Sequence, residues 1–413
     1  MPGGLTTADG TPLKIKLRRT QRRRQWVAVG LVAPLFLFMV FVFAVPIVVV
    51  LLESVDNPEV VEGLPRTTKE IQAWDGKALP PEPVYAALAA DLRVANQDRG
   101  LIGRLGKRLN FEIGGFRSLI FRSAQRIGDV QTGPYKDAFI QINPNWGSRD
   151  YWAAIKRNAS SLTDHYMLAS IDRQRNADGD IVRVRADEAI FIDMFLRTFW
   201  ISLLVTLGCL VLGYPVAFLL ATVPARISNL LMFFVLLPFW TALLVRTTAW
   251  IVLLQREGLV NAFLRWINLI DEPLQLIFNR VGVLVAMIHV LLPFMILPLY
   301  SVMKGIDPQH MRAARSLGAN PLVAFWRVYV PQTLPGTSAG CVLVFIIAVG
   351  YYVTPTLVGG AKDQMVSTFI ALYTNTILNW GQASALGVIL LLIVVILYSV
   401  YHRLVGDELK GLR

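Results

Sequence analysis

Cysteine is nearly absent: the 413 residues hold only Cys209 and Cys341, each alone inside an apolar stretch. Two isolated thiols exclude a disulfide-stapled domain and a cysteine metal cluster, and they read as small packing residues. Histidine is scarce too. The four present, His165, His289, His310 and His402, show no metal-ligand spacing, and no acid, base or nucleophile converges with them, which argues against a membrane-bound enzyme. No Gly-x-x-x-x-Gly-Lys-Ser/Thr loop occurs, so the chain cannot bind ATP in the P-loop manner. No internal repeat is found. Charge is thin as well: charged residues make up 16% of the chain against 54% hydrophobic ones, and the mean hydropathy of +0.51 excludes an ordinary soluble protein.

What is present is long apolar sequence. A helix rises about 1.5 Å per residue, so roughly 20 apolar residues cross a hydrocarbon core of about 30 Å. Six stretches qualify: 26–52, 198–222, 230–254, 281–303, 337–357 and 383–401. The net charge of +12 gathers in the N-terminal tail and in short loops beside these stretches, a distribution that suits membrane orientation and not nucleic acid. Lys14, Lys16, Arg18, Arg19, Arg22, Arg23 and Arg24 precede the first stretch and are costly to translocate. They predict a disordered cytoplasmic tail over residues 1–25, and an even number of spans then places both termini in the cytoplasm. The segment after the fourth stretch, with Lys304, Arg312, Arg315 and Arg327, falls inside under the same topology, as do Arg403, Lys410 and Arg413. The first stretch is too long for a signal-peptide core and lacks a small-residue cleavage site, so it reads as an anchor.

Residues 55–190 form a polar insertion with nearly balanced acids and bases, expected in the periplasm because long domains translocate regardless of charge. Tyr85, Leu88, Ala89 and Leu92 share one helical face, as do Phe116, Leu119, Ile120, Ala124 and Ile127. Asn176 to Asp180 read as a turn before an extended run, 181–184. Two roles stand for it: a cap packed on the outer ends of the helices, or a docking surface for a substrate-carrying protein. Prolines 34, 46, 215, 238, 293, 298 and 355 lie within the apolar stretches, where each removes a donor and can kink its helix.

The segment 306–331 is the most informative. Asp307 is a candidate N-cap with Pro308 at the first helical position, and Gly318 a left-handed stop. Asn320 and Pro321 repeat the start signal, and Pro331 is expected to end the second helix. That helix places Leu322, Phe325, Trp326 and Tyr329 along one side, an apolar face that fits a groove on another protein. Arg312-Ala313-Ala314, three residues, Gly318, nine residues, then Val328-Tyr329-Val330-Pro331 resembles the Glu-Ala-Ala signature of binding-protein-dependent ABC importer permeases, with every spacing kept. The resemblance implies a coupling helix that inserts into a cleft on an ATPase subunit, carried by Arg312, Ala313, Ala314, Leu317, Gly318, Leu322, Phe325, Trp326 and Pro331. Arg312 departs from it, since the first position is usually Glu. A companion permease carrying the acidic version is therefore expected, making a heterodimer.

From Thr198 to His402 the chain is similar to the core of these permeases, and Leu237-Pro238-Phe239-Trp240-Thr241, Arg246-Thr247-Thr248-Ala249-Trp250 and the run 352–360 look most like the spermidine/putrescine permease group. The implied fold is an all-α membrane protein: six transmembrane helices, a MetI-like core and a mainly helical periplasmic insertion. The resulting division is a tail (1–25), first transmembrane helix (26–54), insertion (55–190), permease core (191–405) and cytoplasmic C-terminal tail (406–413). The resemblance also implies partners: a second homologous permease, two ATP-binding subunits that hold ATP and Mg, a periplasmic solute-binding protein and the bilayer. No nucleic acid is expected, nor any cofactor or metal in this chain. Trp240, Arg246, His289, Tyr351 and Tyr352 are candidates for the pathway, Arg246 because an ionised group in a span is costly unless it faces protein or water, the aromatics because rings attract cations. Carboxylates are scarce in the spans, so the substrate stays open between a polyamine, an amino acid or opine-like compound, and a small anion. An ATPase-independent channel or secondary transporter is the reading from another class, and it gives the 306–331 segment no use.

Overall fold

The computed structural model describes the backbone of residues 13–411 and the side chains of residues 21–403 apart from Arg23. Two units separate, residues 1–53 and residues 54–413. The first is one helical rod: α1 (Leu13–Met39), a wide π-turn at Val40–Ala44, then α2 (Val45–Glu53). Its stretch Arg24–Glu53 is long and apolar enough to cross a membrane. The basic segment expected to be disordered is helical from Leu13 onward, continuous with the span; residues 1–12 lie outside the described residues. The straight-chain Lys and Arg side chains favour helix, and a span already formed supplies the nucleus.

In the second unit the insertion comes first. It contains α3 (Glu82–Ala95), α4 (Arg99–Glu112), α5 (Phe116–Arg126), α6 (Arg149–Arg157) and α7 (His165–Ala169), with other short helices before and between them, Pro58–Gly63 and Tyr135–Ile142 among them. A hairpin of β1 (Arg173–Arg175) and β2 (Ile181–Arg183) closes it, pairing Gln174 with Val182 across the Asn176–Asp180 turn. Both expected apolar faces are buried: Tyr85, Leu88, Ala89 and Leu92 meet Phe116, Leu119, Ile120, Ala124 and Ile127 in one core around Trp146 and Trp152.

The membrane part follows as α8 (Phe191–Thr222), α9 (Ala225–Leu236), α10 (Leu243–Leu254), α11 (Leu259–Trp266), α12 (Arg280–Lys304), α13 (Pro308–Ser316), α14 (Pro321–Ala324), α15 (Val330–Gly350), α16 (Val353–Val358), α17 (Val366–Leu372) and α18 (Trp380–Gly411). Three of the expected spans in this unit stand within apolar helices, Phe191–Thr222, Arg280–Lys304 and Trp380–Arg403, and a fourth apolar helix, Pro321–Gly350, overlaps another. The third, expected straight over 230–254, is broken: Ala225–Trp240 and Leu243–Trp266 meet at 98°. Pro238 forces a tight turn at Leu237–Trp240, and Thr241 and Ala242 are extended, which turns the chain. The fifth runs over Pro321–Gly350 instead of 337–357, so Tyr351 and Tyr352 follow the helix and lie outside it. The C-terminal segment 406–413, expected as a tail, continues α18 as helix to Gly411.

Packing fixes the directions. Gly208 of α8 lies against Ile288 of α12, and Gly213 against Met295, so these helices run parallel. Gly340 of α15 lies against Met295 and Gly336 against Pro298, so α15 runs antiparallel to α12. Their core is made of Val205, Cys209, Met287, Leu291, Met295, Leu299 and Val344 among others. Cys209 and Cys341 are both free thiols. The insertion grips the starts of α8 and α18: Asp172 accepts from the backbone N–H of Phe191 (3.0 Å) and Ile192 (2.8 Å), and Gln382 donates to Ser170 (2.8 Å). The 306–331 segment follows the end of α12, at the opposite end of the bundle.

Candidate coupling site

The corner at the end of α12 is built by local signals. Asp307 accepts from the Gln309 N–H at 2.8 Å and Asn320 from the Leu322 N–H at 3.2 Å, so each helix has its side-chain cap with proline just inside it. Gly318 has φ +89°, and the N–H of Ala319 reaches the Ala314 carbonyl while that of Gly318 reaches Arg315. This left-handed exit satisfies the last carbonyls of α13 and turns the chain into α14.

Pro331 does not end the second helix as expected. Phe325–Tyr329 form a π-turn, with the Val330 N–H bonded to the Phe325 carbonyl, and the helix continues through α15. Proline lacks an N–H and its ring collides with the carbonyl four residues back; a wider turn just before it moves that carbonyl aside. The rod α1–α2 uses the same arrangement, a π-turn at Val40–Ala44 preceding Pro46. A helix of 30 residues, Pro321–Gly350, is about 45 Å long, against a hydrocarbon core of about 30 Å. The helix is therefore longer than the apolar slab is thick, and its first turns are rigidly joined to the span.

The expected apolar face is divided. Phe325 and the buried Tyr329 turn inward and stack on each other, centroids 5.6 Å apart, against Phe218 of α8 at 5.6 and 5.3 Å. The Tyr214 hydroxyl meets that of Thr333 at 3.1 Å. Leu322 and Trp326 point outward, 69% and 66% exposed, beside Leu317 at 89%. Arg312 and Ala313 are exposed and Ala314 is half-buried. Tyr214 and Phe218 escaped the reading of the sequence, although their i, i+4 spacing on α8 was the available signal.

Within the bundle, Arg246 of α10 is half-buried, and its Nε and Nη1 have no hydrogen-bond partner among the described residues. His289 of α12 accepts from the Trp250 indole N–H at 3.2 Å. Both His289 and Tyr351 lie within electrostatic reach of the Arg246 guanidinium. Trp240 and Tyr352 stand apart in exposure, at 74% and 46%; the Trp240 ring meets Phe233 edge-on. No cluster of three or more His, Cys, Asp or Glu side chains suited to a metal occurs among the described residues.

Residues 211–410, from the second half of α8 to the end of the chain's last helix, match the family described as binding-protein-dependent transport system inner membrane component. The spermidine/putrescine transport system permease protein PotB of Escherichia coli (strain K12) is 36% identical over 216 residues, 52% of this chain and 78% of that one. The chain belongs to this family. The PotB of Haemophilus influenzae is likewise 36% identical, covering 52% of this chain and 76% of its own. A crystal structure of a bacterial alginate ABC transporter, in complex with an alginate pentasaccharide-bound periplasmic protein, aligns with a TM-score of 0.43 at 18% identity, over 52% of this chain and 77% of the matched chain. As a member of the family, the chain is a multi-pass inner-membrane permease of an ABC importer, a transport subunit that works with a periplasmic binding protein. The family match begins at residue 211, so the insertion lies outside it.

Proposed function

We propose that this permease forms, with a second and homologous permease, the pathway for a polyamine of the spermidine/putrescine type, driven by two separate ATP-binding subunits that hold ATP and Mg. The 36% identity to PotB over 78% of its length supports the substrate class. The observation that carries the mechanism is the corner at Gly318: exposed Leu317, Leu322 and Trp326 on one side, and a continuous helix leading from them into the bundle on the other. An apolar knob on a rigid lever suits a groove on a motor subunit. Closure of the ATP-binding pair would move α13 and α14, and the Phe325–Tyr329 stack on Phe218 would pass that movement to α8.

In this reading both termini and the corner face the cytoplasm and residues 55–190 face the periplasm. The insertion and the corner sit at opposite ends of the bundle, as that orientation requires. The solute-binding protein delivers substrate at the insertion's end, and alternating access carries it past Arg246, His289 and Tyr351, with Trp240 and Tyr352 at the exposed approaches. A guanidinium repels a polycation, so selection resides mainly in the delivery protein and the second permease, with Arg246 holding a carbonyl or carboxylate supplied across the interface. Arg312, standing where the signature has Glu, would be matched by the acidic version on that second permease.

The reconstituted complex tests this directly. Spermidine or putrescine with the binding protein is expected to raise ATP hydrolysis, and amino acids or small anions to leave it unchanged; stimulation by one of the latter alone would replace the substrate assignment while keeping the importer.

A further inference from the structure

Between α10 and α12 the chain makes a short amphipathic helix, α11, whose apolar face is exposed among the described residues. Leu259 is 70% exposed, Phe263 55% and Trp266 78%. At about 100° per residue these three fall within a narrow arc of the helix. The opposite side is pinned. Asn261, 1% exposed, donates to the carbonyls of Gln255 (3.0 Å) and Leu274 (2.9 Å) and accepts from the Leu274 N–H (2.9 Å). Val260 joins Leu254, Ile277 and Val358 in a small core. The helix cannot roll its apolar face inward without breaking those bonds. Arg265, also exposed, lies roughly 100° around the axis from Trp266.

Three sides of one helix thus ask for three surroundings: protein for Asn261 and Val260, hydrocarbon for Leu259, Phe263 and Trp266, and water for Arg265. We propose that α11 lies in the membrane–water interface, at the bundle end where α12 begins, with Leu259, Phe263 and Trp266 seated in the outer acyl region of the bilayer. The placement is continuous with the apolar spans that α11 joins, since α10 precedes it and Arg280 opens α12 only fourteen residues after Trp266. Phe263 and Trp266, with ring centroids 6.0 Å apart, supply the aromatic pair that interfacial sites favour. The arc carries no charge, whereas the polar edge does, which suits a lipid surface facing one side and water the other.

The test uses the whole complex in liposomes. In a background carrying Cys209→Ala and Cys341→Ala that keeps substrate-stimulated ATP hydrolysis, an environment-sensitive fluorophore is attached at Trp266→Cys, or at Phe263→Cys should the first fail to assemble, and separately at Arg265→Cys. Lipids bearing a nitroxide high on the acyl chain are expected to quench the label at 266 or 263 about twofold or more beyond the label at 265, and aqueous iodide to show the reverse order. Strong iodide quenching at 266 and 263 would place the face in water and overturn the proposal. Protection there from both quenchers would assign the face to the second permease and overturn it equally.

Discussion

Residue by residue, the corner divides into outward side chains that are free to meet a partner and inward ones that pack on α8. Trp326 is 66% exposed and Leu317 89%, so Trp326→Ala should change this chain's stability by no more than about 0.5 kcal/mol. If Trp326 anchors the ATP-binding subunit, the same change should weaken that association by about 2 kcal/mol, near thirtyfold, measured by binding of the purified subunit to permease-containing vesicles. Phe218→Ala should do the converse: binding kept, but ATP hydrolysis no longer responsive to substrate, because the stack beneath Tyr329 is gone. The sequence marked all four apolar residues of this helix as one exposed face. A helical period reports which residues share a side but not which neighbour covers part of it: α8 covers Phe325 and Tyr329 through Phe218 and leaves Leu322 and Trp326 exposed.

Charge buried in the insertion gives a second residue-level test. Glu112 Oε1 lies 3.1 Å from His165 and 3.4 Å from Arg108, and its Oε2 lies 3.2 Å from Arg157. Arg108 also reaches Asn57 and Asn158 and lies over the Tyr166 ring. Burial alone would push the Glu112 carboxyl up; His165, Arg108 and Arg157 outweigh it and hold it down at about 2. Burial, with Arg108 and Arg157, pushes the His165 imidazole down against the pull of Glu112. Both groups then bind fewer protons folded than unfolded, so stability falls on acidification. The His165 part begins to go below its ordinary value of 6.5 and the Glu112 part between 4.5 and about 2. Hydrogen exchange at residues 99–157 in the intact complex should accelerate over that range. Glu112→Gln should cost about 3 kcal/mol at neutral pH, since it strands the buried Arg108 and the half-buried Arg157 guanidiniums, and should remove the part of the slope between 4.5 and about 2 while leaving the His165 part.

At the scale of elements, turns and junctions decide the outcome. Gly318 holds φ +89°, and Gly318→Ala should destabilise the corner by about 1 kcal/mol through left-handed strain; a loss of coupled ATP hydrolysis with unchanged membrane insertion would register it. Gly381, at the start of α18, faces the Tyr166 ring so closely that a single added methyl would collide with it. Gly381→Ala should therefore loosen the insertion from α18, seen as faster proteolysis after residue 170 with the core intact. Hydropathy located four of the six expected spans within unbroken apolar helices, because about 20 apolar residues in a row leave few other fates, and it set the fifth too far along the chain. It missed the break at Trp240–Leu243, since apolar content does not report direction, and Pro238 looks the same in a kinked helix as in a reversed one. It ended the second helix of the 306–331 segment at Pro331 because a proline stop and a proline behind a π-turn share one sequence signal. The caps at Asp307, Gly318 and Asn320 were legible since each acts within three residues of itself.

For the whole molecule, the membrane part follows its family while the insertion is added architecture with its own core. That core, from Val60 to Ile155, is closed by aromatic packing of Tyr85, Phe139, Trp146 and Trp152, and its grip on the starts of α8 and α18 makes it a cap on one end of the bundle. A cap there and an apolar corner at the other end are the two features on which the proposed ATP-driven movement rests. The most direct measurement is site-specific cross-linking at that corner: Leu317→Cys in the assembled complex, in oriented membrane vesicles. Adducts with the ATP-binding subunit are expected, and labelling by a membrane-impermeant maleimide from the cytoplasmic side once that subunit is stripped. Labelling from the periplasmic side alone, or no adduct with any other polypeptide, would contradict it.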